Sequence, residues 1–156
     1  MENLSAKAYF LRNEFIDKLK QIEPATKPLW GKMNLHQMIE HMSYSLRQAN
    51  GKDQYDCVTP EENIPRMQAF LMSEKPFKEN TPNQLLPEDP ETPKQKDIDD
   101  ALAELKTETE DFFKVFEKTP DRVITNPFFG DLNYEMWVQL LHKHARHHLK
   151  QFGVNE

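Results

Sequence analysis

Four histidines, His142, His144, His147 and His148, fall within a single stretch of seven residues near the end of a 156-residue chain. Imidazole changes charge near neutral pH and is the commonest nitrogen ligand of divalent metals, so what matters is which of the four can converge. At ~100° per residue, Trp137, Leu141, Ala145 and Phe152 mark an apolar helix face, and of the four histidines His148, roughly 25° from its centre, and His144, roughly 65°, lie nearest to it. His142 and His147 lie outside that face, roughly 95° and 125° from its centre. His144 and His148 are one helical turn apart, so both rings can reach a single point, as the paired histidines of helical metal sites do. A lone inward histidine is ordinarily a core residue satisfied by hydrogen bonds. Two stacked ones cost on the order of 1–3 kcal/mol apiece if unpaired, and a shared metal removes that cost for the acceptor nitrogens.

A third ligand belongs on a facing helix. The stretch from Asn34 to Ala49 offers His36 and His41, which flank an apolar stripe of Leu35, Met38, Ile39, Met42 and Leu46. Each lies roughly 100° or more from the centre of that stripe, so helical phase does not choose between them. Cys57 is the single cysteine, which excludes an internal disulfide and the multi-thiolate zinc sites and leaves nitrogen and oxygen as donors.

The elements that must carry these residues are helical. Leu4, Ala8, Leu11, Phe15, Leu19 and Ile22 recur at spacings of three and four, predicting a first helix that Pro24 and Pro28 end. Asn34 caps the second helix and Asn50-Gly51 stops it. Ile98, Leu102, Leu105, Thr109, Phe112 and Phe116 define a third helix through Asp97 to Lys118, closed by Thr119-Pro120. The segment Asp121 to Leu132 is expected to be a loop, after which Asn133 caps a final helix from Tyr134 to about Phe152, with Gly153 beyond it. Between the second and third helices, Pro60, Pro65, Pro76, Pro82, Pro87, Pro90 and Pro93 forbid a continuous helix from Thr59 to Lys96, with room for a short one over Glu62 to Met72. With no alternating strand pattern and no repeat, the expected fold is all-α: a single-domain four-helix bundle spanning 1–156, with a long proline-rich crossover between helices 2 and 3.

The run Leu141-His142-Lys143-His144-Ala145-Arg146-His147-His148-Leu149-Lys150-Gln151 resembles the HxxHHxxQ signature on the last helix of the DinB/YfiT-like metalloenzyme superfamily. The stretch Asn126-Pro127-Phe128-Phe129-Gly130 through Gln151-Phe152-Gly153 is similar to an uncharacterised branch of it. The resemblance implies that the first and last histidines of HxxHH, here His144 and His148, bind metal. It implies a further ligand late in the second-helix motif, where Leu35-His36-Gln37-Met38-Ile39-Glu40-His41-Met42 matches best with His41 in that role. Leu149-Lys150 departs from the small residue and Arg-Gly that better-known members keep there, so no substrate contact is carried over.

Three histidines leave a coordination position open, the arrangement of a catalytic site and not a structural one. Zinc, nickel and iron all suit imidazole. Gln37 and Gln151, near the ligands on their own helices, are candidates to orient them, against a plainer reading as solvent-exposed glutamines. Relatives implied by the resemblance use low-molecular-weight thiols in transfer or isomerisation, so the expected function is a metal-dependent enzyme with a small-molecule substrate. A metal-dependent hydrolase and a non-catalytic metal or small-molecule binding bundle are the alternatives.

A net charge of -6 and a pI near 5.5 argue against nucleic acid as a partner, and His142-Lys143-His144-Ala145-Arg146 reads as a solvated helix face. No run approaches the ~18 apolar residues a membrane span needs, and the N-terminal stretch has no secretory h-region, which points to the cytoplasm. A homodimer is compatible with the sequence.

Overall fold

The computed structural model describes residues 3–81, 83 and 85–155. Pro82, one of the crossover prolines, lies outside them. The chain runs through α1 (Leu4–Asn13), α2 (Phe15–Lys20), α3 (Leu35–Ala49), a 3-10 turn at Glu61–Asn63, α4 (Ile64–Met72), α5 (Ile98–Lys118), β1 (Ile124–Asn126), β2 (Gly130–Leu132) and α6 (Tyr134–Gln151).

Asparagine and aspartate side chains start the principal helices. Asn3, Asn34, Asp97 and Asn133 each accept a backbone N–H three residues on, and at α3 the Gln37 side chain answers by accepting the Asn34 N–H at 2.9 Å. Each such cap satisfies an orphan donor and contributes about 0.5–2 kcal/mol.

The first helix does not run unbroken from Leu4 to Ile22. It breaks at Glu14, where φ is -120° and ψ -34°, although no proline or glycine marks the place. The core supplies the reason. Phe10 and Phe15 would point roughly 140° apart on a straight helix, yet both rings are buried, with centroids 6.0 Å apart.

The fold is mostly helical, with a small two-stranded sheet in place of the loop expected from Asp121 to Leu132. β1 and β2 pair antiparallel with Ile124 opposite Leu132 and Asn126 opposite Gly130. Asn126 builds the turn, its Oδ1 accepting the N–H groups of Phe128 and Phe129 at 2.8 and 3.0 Å, and Gly130 holds the left-handed φ of +78° that closes it. Trp137 on α6 pins the hairpin by donating its indole N–H to the Ile124 carbonyl at 3.1 Å. Strands of three residues are too short to show alternation in a sequence.

α3 packs along α5, α1 along α6, and α4 lies on α6 as well. The core between them includes Met38, Ile39, Met42, Leu105, Phe112, Trp137 and Leu141, all sealed from solvent. Leu105→Ala is expected to lower the stability by about 2–5 kcal/mol, measured as a fall in denaturant midpoint, because it empties a filled position in this layer.

The crossover after α4 is tied down at both ends. Glu40 on α3 accepts the backbone N–H groups of Lys94 and Gln95 at 2.8 and 2.9 Å, and Gln37 Nε2 donates to the Glu91 carbonyl at 3.1 Å. At the other end Lys143 Nζ donates to the Ser73 carbonyl at 2.9 Å and to the Lys75 carbonyl, and lies 4.5 Å above the Phe70 ring. Among the described residues no helix is long and apolar enough to cross a membrane.

Candidate metal centre

α3 carries His41 and, one turn later, Ser45; α6 carries His144, His148 and, at its last turn, Gln151. The packing of α3 against α6 brings the three rings together, with centroids 4.6–4.9 Å apart. His144 Nε2 is the hub, 3.0 Å from His41 Nε2 and 2.9 Å from His148 Nε2, and one ligand atom from each of the three falls within 4.8 Å of the others. His148 is buried, whereas His41 and His144 keep part of their surface open.

The surrounding hydrogen bonds assign the ring proton of His148. Gln151 Nε2 donates to the Trp30 carbonyl at 2.9 Å, and a carbonyl can only accept. The amide is therefore oriented, and its Oε1 faces His148 Nδ1 at 2.7 Å as an acceptor. His148 carries its proton on Nδ1, which leaves Nε2 a bare lone pair. Ser45 Oγ lies 3.3 Å from the His41 carbonyl, to which it can donate, and 3.1 Å from His144 Nδ1. The bare Nε2 of His148 thus faces His144 Nε2 at 2.9 Å. A cation between them would take a lone pair from each ring, and four-coordinate zinc at about 2.0–2.1 Å from each nitrogen would set them about 3.3 Å apart. The three histidines form a group that can hold a metal ion.

Burial pushes the His41 pKa down to about 4, helped by the charge of His147. Burial also pushes His144 and His148 well below the usual imidazole range, with the neighbouring histidines adding to it. Neutral imidazole is the metal-binding form, so near pH 7 protons compete weakly for this site.

The sequence profile of the DinB superfamily matches residues 13–152. The chain belongs to the DinB superfamily. No curated protein and no solved structure matches it.

In this DinB-superfamily chain His36 and His142 go elsewhere, while the His147 ring packs on His148 at 5.1 Å. His36 turns to Glu40, its Nε2 3.0 Å from Oε2 but outside hydrogen-bonding geometry, and does not join the three. His142, placed by helical phase outside the apolar face, is 3% exposed and sets its ring edge-on to Phe10 at 5.3 Å. The expected solvated face around it is instead covered by α1 and by the segment after α4; Lys143 is buried there, and burial lowers its pKa. Of the two glutamines, Gln151 is 4% exposed and bonded to His148, whereas Gln37 uses both ends of its amide in the α3 cap and on Glu91. Gln37 is thus a structural tie and not a partner of the histidines.

Residues the sequence did not point to also meet here. Phe77 packs on His144 and His147 at 6.1 and 5.8 Å, and Trp30 on His147 at 5.3 Å. Trp30, Phe77 and His147 line a groove of about 170 Å³ beside α6. A second hollow, about 280 Å³, lies between Arg12, Phe113, Phe116 and Tyr134 at the start of α6 and includes none of the histidines. Ser45 had one available signal, its place one turn after His41; Phe77 and Trp30 lie in connections with no periodicity to read.

Proposed function

We propose that this chain is a metal-dependent enzyme that works through an open position on His41, His144 and His148, with a low-molecular-weight thiol as substrate and group transfer as the reaction. The observation that carries the reading is the bare Nε2 of His148 2.9 Å from His144 Nε2, beside a third histidine, at a point still partly open to solvent. Zinc, nickel or iron held there supplies Lewis acidity that stabilises the deprotonated form of an incoming thiol. The chain's own residues prepare the place. Gln151 keeps the His148 proton on its outer nitrogen, Ser45 sits beside the outer nitrogen of His144, and burial keeps the rings neutral so that the charge of an ion is not diluted. Trp30 and Phe77 offer apolar walls within the neighbouring groove.

In this reading the chain forms one domain. Its four-helix bundle consists of α1 with α2, then α3, α5 and α6, overlaid by α4 and the crossover, and it works in the cytoplasm, where small thiols stay reduced. The competing reading is a non-catalytic metal-binding protein. It is favoured by the groove's lining, which includes His147 but none of the three converging histidines.

Cobalt substitution followed by titration with small thiols distinguishes the two. A sulfur-to-metal charge-transfer band is expected, with apparent affinity rising with pH until the thiol is ionised. Fully loaded protein that shows no band with any thiol would turn the assignment to a hydrolase or a binding protein.

A further inference from the structure

The connection between α2 and α3 is bonded to Gln151 twice. Leu29 donates its backbone N–H to the Gln151 carbonyl at 2.7 Å, and the Gln151 side chain donates to the Trp30 carbonyl at 2.9 Å. The next residue, Gly31, has φ +76°, and a Cβ built there would stand 2.9 Å from Gln151 Nε2. A side chain at position 31 would therefore push against the very atom that the Trp30 carbonyl holds. Because that atom is the far end of a flexible side chain, it can swing away, and the consequence falls on the direction of the amide more than on the fold.

We propose that the Trp30–Gly31 turn is a positioning device for the centre: the Trp30 carbonyl holds the Gln151 amide with its oxygen toward His148, and the bare α-carbon of Gly31 leaves the amide room to stay there. The device sets the tautomer of His148. An amide turned over would present NH₂ to Nδ1, draw the ring proton to Nε2 and point an N–H where the lone pair now faces His144. Gly31 and Trp30 act through Gln151 and touch none of the three histidines through the bonds that hold the amide; they are positioning residues. The tautomer follows from the hydrogen bonds alone, while its consequence for metal affinity rests on the metal-site reading above.

The test uses the full chain with Gly31→Ala, Gly31→Asn, Gln151→Leu, and Gly31→Ala combined with Gln151→Leu. Asparagine tolerates the left-handed backbone but still carries a Cβ, so it keeps the test intact should the alanine variant fold poorly. Histidine-ring nitrogen shifts of the metal-free protein are expected to show His148 protonated on Nδ1 in the parent and redistributed toward Nε2 in the single variants, with His36 unchanged. Cobalt affinity is expected to fall about 10–100-fold in each single variant. The combined variant is expected to bind within about twofold of Gln151→Leu, since a residue acting through Gln151 has nothing left to act on. If His148 keeps its Nδ1 proton in all single variants, or if the two affinity losses multiply, the positioning role is overturned. A parent protein that takes up no cobalt, but whose His148 shifts as described, would overturn the metal reading and leave the positioning role standing.

Discussion

His144→Ala and His148→Ala are each expected to remove stoichiometric metal from the purified protein, and His41→Ala to do the same. The three contribute the ligand atoms that gather within 4.8 Å, and losing one leaves only two imidazole donors, too few to hold an ion against water. His36→Ala and His142→Ala are the contrasts. His36 lies beside Glu40, and His142 packs edge-on against Phe10, so neither substitution touches the converging nitrogens. His142→Ala should instead lower the thermal midpoint, because it opens a gap under α1 while the metal content stays at parent level. Metal analysis of the purified variants, read beside their melting curves, separates these effects. Metal retained by His41→Ala and lost by His36→Ala would refute the ligand set.

Metal and protons are expected to act on stability in opposite directions through the same rings. A ligand that binds the folded chain alone stabilises it by about 4 kcal/mol when its free concentration is about 1,000 times its Kd. For a chain of this length that is a rise in midpoint of roughly 8–16 °C, absent in His148→Ala. For the metal-free protein the direction with pH follows from the lowered imidazole pKa values. His41 titrates at about 4 when folded against an ordinary 6.5, and His144 and His148 are lowered too, so between those values the unfolded chain binds more protons. The contribution of these rings is therefore fully present above about pH 6.5 and is lost as pH falls toward 4. Melting curves across this range should drop more steeply for the parent than for a His41→Ala variant. Equal slopes would mean that the rings are not held neutral by the fold.

Much of the scaffold was legible because helices announce themselves locally. A spacing of three and four placed α3, α5 and α6 nearly to the residue, and the short polar residues at Asn34, Asp97 and Asn133 marked their starts, because both signals depend on neighbours within one or two turns. The break at Glu14 and the hairpin from Ile124 to Leu132 escaped notice for the opposite reason. The first depends on where the Phe10 and Phe15 rings must go in the core, and the second on strands too short to carry a pattern.

The inward direction of His144 and His148 was likewise a local matter, decided by their phase on one helix. His36 and His41 were indistinguishable by phase, and only the packing of α3 against α6 brings His41 to the shared point and leaves His36 beside Glu40. His142 looked outward by the same arithmetic until α1 covered it. Gln151 and Gln37 were equal candidates as well. The Trp30 carbonyl, more than a hundred residues away in the chain, aims the first at His148, while the second closes its own helix cap. The sequence by itself determined which residues of α3, α5 and α6 are helical, where those helices begin, and that His144 and His148 share a side of α6, since these are set by backbone propensity and periodicity. The tertiary structure decided which third histidine completes the group, which nitrogen of His148 carries the proton, and which connection holds the last glutamine, since each needs contacts between segments that no local pattern encodes.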